Sequence, residues 1–358
     1  MDAQSVPLNR ETARLFVQAV KHLLTSEVRR RAIGLLLLLL LFALAVNGLN
    51  VVGSYVGRDF MTAISQRDMP GFFRLATLYV AVFGATTVVA VFYRFCEERM
   101  GLLWRSWLTK RVIERYLDQR TYLRLKESAQ IDNPDQRITE DIRAFTTTTL
   151  SFMLVFLNST LAALSFAGVL WTISPLLFFV AVGYAGLGTL MTVLLGRPLV
   201  GLNYAQSRRE ADFRATLLHL GENAESVALS RQEGRLSARL LNRIDELVMN
   251  FRRITSINRN LGFFTTGYNY LIQIIPALIV APHFIRGEVE FGVITQSAIA
   301  FSQLLGALSL IVNQFGSISS FAAVVVRLSG LARGVETIDV EPRRSRQSKT
   351  VIESRTSG

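Results

Sequence analysis

The stretch whose reading decides the fold is Asn133-Pro134-Asp135-Gln136-Arg137-Ile138-Thr139-Glu140-Asp141-Ile142, a short polar segment between two long apolar runs. Its local chemistry is that of a helix start. Asn133 suits the cap, Pro134 takes the first helical position where its missing N–H costs nothing, and Gln136 falls where a capping-box residue reaches back. In a soluble protein this would be an ordinary capped turn. What surrounds it decides otherwise.

Working outward, the apolar run Ile33–Val56 exceeds the roughly 20 residues needed to cross the hydrocarbon of a bilayer. A second run follows at 72–95, a third at 147–173, a fourth from Pro175 to about Gly196, a fifth at 261–285 and a sixth at 293–321. Between the fourth and fifth, residues 197–259 form a polar helical stretch with eleven Arg and no Lys. The charged stretch from Glu97 to Ala129 places Leu102, Leu103, Trp107, Leu108, Val112 and Tyr116 at helical spacing. The chain has 358 residues, half of them hydrophobic, with a net charge of +12. Its Arg residues gather in alternate inter-span segments, which is the bias of cytosolic loops rather than of a nucleic-acid surface. Arg29-Arg30-Arg31 keeps the start of the chain inside, and the segment before it is too long for the n-region of a signal peptide.

The expected fold is therefore an all-α integral membrane domain of six transmembrane helices with two long cytosolic helical arms and both termini cytosolic. Residues 1–31 read as a cytosolic N-terminal segment, 32–335 as the six-helix domain and 336–358 as a polar linker or tail. An arm of about 30 helical residues reaches about 45 Å, well past the headgroups. The opening stretch lies at the tip of the first arm, and Phe213-Arg214 through Glu222-Asn223-Ala224-Glu225-Ser226-Val227-Ala228-Leu229 lies midway along the second.

The sequence carries no signature of catalysis or of a nucleotide motor. No GxxxxGK[ST] phosphate loop occurs, nor HExxH, GxSxG or a paired His and Cys site, so catalytic and metal sites are not expected. Cys96 stands alone and reads as a small buried side chain. The span centres hold no Asp, Glu or Lys, which argues against proton coupling, because that requires a protonatable group at membrane depth. Arg74 and His283 sit at span edges, and His283 has no acidic partner within its span. The uncharged polar residues Asn50, Asn158, Asn269, Gln273, Gln303 and Asn313 are candidate translocation-path residues, with interhelical hydrogen bonding as their plainer role; Asn47 and Gln314 belong with them.

Six spans with two cytosolic arms resemble the transmembrane domain of exporter-type ABC transporters. The stretch at 133–142 is similar to the first-arm motif of the subgroup containing the peroxisomal fatty-acyl (ABCD) transporters and their bacterial relatives, and the stretch at 213–229 to that subgroup's EAA-like motif. Ser230-Arg231-Gln232-Glu233 departs from the acidic residue that usually follows a glycine there. The resemblance, over about residues 30–335, implies that the arm tips are coupling helices for nucleotide-binding domains. Asn133, Pro134, Asp135, Gln136, Arg137, Glu222, Asn223 and Glu225 would then be the coupling residues. It also implies a homodimer in the inner (plasma) membrane and a small-molecule, lipid-like or peptide substrate, with no nucleic acid. ATP and Mg would sit on a nucleotide-binding domain carried by a separate polypeptide or by a longer chain of which this is a part. The related BacA and SbmA group, which uses protons and no motor, supplies the rival reading.

Overall fold

In a computed structural model, the protein is described at residues 21, 25–118, 121–123, 134–222, 224–225, 229, 233–313 and 324–325. All the elements among these residues are helical: α1 (Arg29–Ser65), α2 (Met69–Leu117), α3 (Ile142–Ile173), α4 (Pro175–Glu222), α5 (Glu233–Ile285) and α6 (Phe291–Asn313). Each contains a segment long and apolar enough to cross a membrane.

The ends follow from local chemistry. The turn between α1 and α2 takes Arg67 into the left-handed region (φ 55°). Asp68 then accepts from the Gly71 N–H at 3.2 Å, capping α2, whose Pro70 sits where no donor is needed. A single non-helical residue, Ser174, separates α3 from α4, because the residue before Pro175 is disfavoured in a helix. Between α5 and α6, Gly287 adopts φ 75° and its N–H returns to Phe284 O at 2.9 Å, a conformation that suits glycine.

The spans do not stop at the membrane edge. α2 runs 49 residues, α4 48 and α5 53, so membrane segment and arm are one helix in each case. The apolar run at 261–285 is thus only the second half of α5. Of the sixth run, 293–321, the helix is described to Asn313, and the expected tail at 336–358 lies outside the described residues.

The chain forms two compact units, Met1–Val169 with Gly306–Gly358, and Leu170–Leu305. The first has a core where α1, α2 and α3 meet: Ala32, Leu39, Cys96, Met100, Trp104, Phe145, Leu150 and Leu154, joined by Val325. Cys96 is buried there, as read from the sequence. The Trp104 ring meets Phe145 edge-on at 5.9 Å, an arrangement that the ring quadrupoles favour.

In the second unit α4 and α5 are locked by two stacked tyrosines. The rings of Tyr184 and Tyr268 lie 4.2 Å apart and nearly parallel. Tyr184 Oη donates to Tyr268 O at 2.8 Å and Tyr268 Oη to Tyr184 O at 3.1 Å. Only a glycine leaves room beneath: a Cβ at Gly188 would stand 2.4 Å from the Tyr268 ring.

Candidate coupling surface

The first arm tip begins with a helical turn, Pro134–Gln136, and continues as a π turn, Arg137–Asp141, before α3. The widened turn is visible in the Ile142 N–H, which bonds to Arg137 O, five residues back. Asn133 lies outside the described residues, so its capping role does too. Gln136 does not reach back as a capping-box residue. Its Nε2 donates forward to Glu140 Oε2 at 3.1 Å, because side chains four apart share a helix face. Thr139 Oγ1 donates to Asp135 O at 2.8 Å. Asp135 and Gln136 are exposed and Arg137 half-buried, so the segment offers an acid, an amide and a guanidinium within three residues. Asp141, which the sequence reading did not single out, is buried at the root of this tip beside Ile142. Its burial could have been anticipated from its position just before the apolar run.

The second tip ends α4. Arg214, Leu217, Leu218, Gly221 and Glu222 line an open groove of about 400 Å³. The spacing of three and four puts them on one face, and Leu218 is 61% exposed. An apolar strip between an Arg and a Glu at the far end of a helix is suited to receive a folded partner rather than solvent. Glu225 is helical and exposed one turn on; Asn223 and Ser226–Ala228 lie outside the described residues.

The second arm is cross-braced. Asn250, buried on α5, donates from Nδ2 to Leu202 O at 3.0 Å and to Gln206 Oε1 at 2.8 Å on α4. Arg209 Nη1 donates to Glu246 O at 3.1 Å, and Arg243 pairs with Asp212 at 3.7 Å. That ion pair is partly exposed and adds little by itself. Asn250 is the bracing residue the sequence reading missed, since nothing in its own helix marks which partner it meets. Asn250→Ala is expected to loosen the arm by about 1–2 kcal/mol, the cost of losing a buried hydrogen-bonded group. Faster amide hydrogen exchange over 236–250, with the 261–285 segment unchanged, is the readout.

The candidate path residues fare differently. Asn158 bonds across to Tyr93 Oη at 2.6 Å and back to Leu154 O at 2.9 Å. Asn50 is half-buried, whereas Asn269, Gln273 and Gln303 are exposed; the Asn313 side chain lies outside what is described. Asn47 is turned inward onto its own helix, bonding Ala43 O at 2.9 Å.

At the C-terminal end of α5, His283 finds the acid its span lacks. Glu288 from the following loop meets His283 Nδ1 at 2.5 Å and Arg286 Nε at 3.2 Å. The hydrogen bond from His283, with the positive charge of Arg286 behind it, holds the Glu288 carboxyl below its usual range. A depressed folded-state value contributes order above the ordinary carboxylate range and loses it as pH falls through the folded value. Protection of residues 286–290 from proteolysis is therefore expected at pH 7 and lost in acid, and Glu288→Gln should flatten that dependence.

Long apolar helices continuous with cytosolic-type arms define a membrane-spanning transport domain, and the known proteins bear this out. Residues 20–285 match the family described as ABC transporter transmembrane region 2, and the chain belongs to that family. It is 42% identical over 285 residues to the chloroplastic ABC transporter D family member 2 of Arabidopsis thaliana, covering 80% of this chain and 40% of that protein. It is 40% identical over 308 residues to an uncharacterized ABC transporter ATP-binding protein of Synechocystis, covering 85% and 47%. An inner membrane ABC transporter ATP-binding protein of Escherichia coli matches at 27% over 317 residues, covering 84% and 56%. The chain thus spans about half the length of these relatives. It is a multi-pass membrane protein of the ABC transporter class, with relatives in the D family.

Proposed function

We propose that this chain is the permease part of an ATP-driven transporter. Two copies would enclose a path for a solute across the inner membrane, with nucleotide-binding domains docked on the arm tips and both termini cytosolic. Those domains would hold ATP and Mg and carry out the hydrolysis. The supporting observation is the second arm: α4 runs unbroken from membrane depth to the exposed Leu217, Leu218 and Glu222, and Asn250 ties it to α5. A force applied at such a tip moves the membrane segment, which is how two-state interfaces amplify small shifts. Asp135, Gln136, Arg137, Glu222 and Glu225 take the contact role at the tips, as do Asn133, Pro134 and Asn223 in the same two motifs.

The test is flux into vesicles holding the full chain with and without a co-produced nucleotide-binding partner. The probes are a fluorescent fatty acyl compound, a labelled peptide and cobalamin. Uptake that needs ATP and the partner supports the proposal. Uptake by the chain alone that collapses with an uncoupler overturns it in favour of proton drive.

A further inference from the structure

Contacts between neighbouring helices in the first unit fix the depth of each residue of α2. Phe42 of α1 stacks on Phe92 with centroids 6.5 Å apart, and Asn158 of α3 bonds to Tyr93. The apolar run of α1, Ile33–Val56, has its middle at Leu44 and Ala45, which the Phe42–Phe92 contact places level with Val89 and Ala90. The run of α3, 147–173, has its middle at Thr160, which the Asn158–Tyr93 bond places level with Val91. Two neighbours thus agree on where α2 crosses the middle of the bilayer.

On that scale α2 becomes charged while still inside. At 1.5 Å per residue, Arg94 lies about 5 Å past the middle and Glu97 and Glu98 about 10 Å. The hydrocarbon extends about 15 Å on each side. These charges stand level with Leu37–Leu41 of α1 and Leu154–Leu157 of α3. The span end read from composition, Phe95, hides this, because the apolar stretch of α2 is shifted outward relative to its neighbours; the absence of carboxylates read from the sequence holds for the span centres and not for the inner half of α2.

Arg94 pairs with Glu98 at 3.4 Å, and the two side chains are 80% and 70% exposed. Glu97, half-exposed, has no ion pair among the described residues. Among the described residues the facing elements add no charge to offset it, and on α2 itself Arg94, one turn back, is shared with Glu98. α1 carries no charged side chain between Arg31 and Arg58, α3 none beyond Arg143, and Val324 and Val325 are apolar. Lipid does not solvate such a face, and ionisable groups at this depth border a water-filled cavity or the bundle interior. Asn158 adds an acceptor nearby: it uses both Nδ2 protons on Tyr93 Oη and Leu154 O, which leaves its Oδ1 without a partner among the described residues.

We propose that the α2 face carrying Arg94, Glu97 and Glu98 lines the inner half of the translocation path and binds a cationic, donor-rich group of the solute, an ammonium or guanidinium, through Glu97. The substrate class rests on the transport reading above; the position of the face in water does not.

The test uses Val91→Cys, 62% exposed two turns from Glu98, in a Cys96→Ala background of the full chain in membrane vesicles. Cationic and anionic methanethiosulfonates of similar size report both water access and local charge. The cationic reagent is expected to react at least about 10-fold faster, the concentrating effect of a charged cleft. Glu97→Gln should remove most of that preference, and Glu97→Asp, which keeps the charge, should retain it. Spermine, as a cationic probe, should slow labelling in the parent and not in Glu97→Gln. Absence of labelling by either reagent, a preference unmoved by Glu97→Gln in a normally extracted protein, or indifference to spermine overturns the proposal. The readout involves neither flux nor ATP hydrolysis, so its failure leaves the transport reading standing, and failure of ATP-driven flux leaves the labelling result intact.

Discussion

Glu222→Ala and Asp135→Ala, each in the full chain assembled with its nucleotide-binding partner, are expected to leave ATP hydrolysis near the parental rate while solute flux falls about 10-fold or more. The magnitude follows from the usual size of coupling free energies, about 1–3 kcal/mol, which corresponds to roughly 5- to 150-fold. Both side chains are exposed at arm tips, so folding should not suffer. Glu222 closes one end of the groove whose other end is Arg214, with Leu217 and Leu218 between them. Removing it should misalign the partner on the lever rather than release it. Parallel assay of ATPase and flux checks the result. Unchanged flux in both variants would sink the coupling role of these tips.

The second large effect lies inside the membrane. Gly188→Ala introduces a methyl 2.4 Å from the Tyr268 ring, a distance no real contact tolerates. The atoms it meets are the far edge of an aromatic side chain that is itself pinned, stacked on Tyr184 and bonded to its carbonyl. Tyr268 has to leave, and both reciprocal hydrogen bonds go with it. Overpacking costs about 1–3 kcal/mol, and each interhelical bond in a membrane averages about 0.6 kcal/mol, so the total is about 2–4 kcal/mol. A marked drop in the thermal transition of the detergent-extracted protein is expected. Tyr268→Val alone should cost less than Gly188→Ala, and adding it to Gly188→Ala should recover part of the loss. A double variant no better than Gly188→Ala would show that the ring is not the obstacle.

Much of the architecture was legible because the bilayer imposes one length and one composition on whatever crosses it. The runs at 33–56, 72–95 and 147–173 each lie within one helix, and Ser174-Pro175 marks the sharp break between α3 and α4. The family was legible for a different reason, in two short polar motifs set in long amphipathic stretches. What stayed hidden was pairing. The 3.6-residue period shows which face of α5 turns inward but not that Asn250 will meet Leu202 and Gln206. Likewise Tyr184 and Tyr268, 84 residues apart, give no local sign of each other. At the first tip, the 3.6-residue turn brings Gln136 to Glu140, four residues on, rather than into the capping role read from the sequence. The depth of Glu97 was invisible for the same reason: hydropathy measures a helix against itself, whereas depth is set by what it stands beside.

The π turn at Arg137–Asp141 has a consequence for how this tip tolerates change. Such a turn holds one residue more than an α-helix needs to advance the same distance. It absorbs that residue inside the turn, so the helix on either side keeps the bearing it would have without it. Deleting one residue there would restore a plain α-helical turn and leave both the buried stripe of α3 and the bearing of Asp135 and Gln136 as they are, whereas the same deletion in a regular turn of α3 would swing the tip by about 100°, the angle of a single helical step. The π turn is therefore the place on this helix where a single-codon deletion is absorbed, and its neighbours are places where it is not.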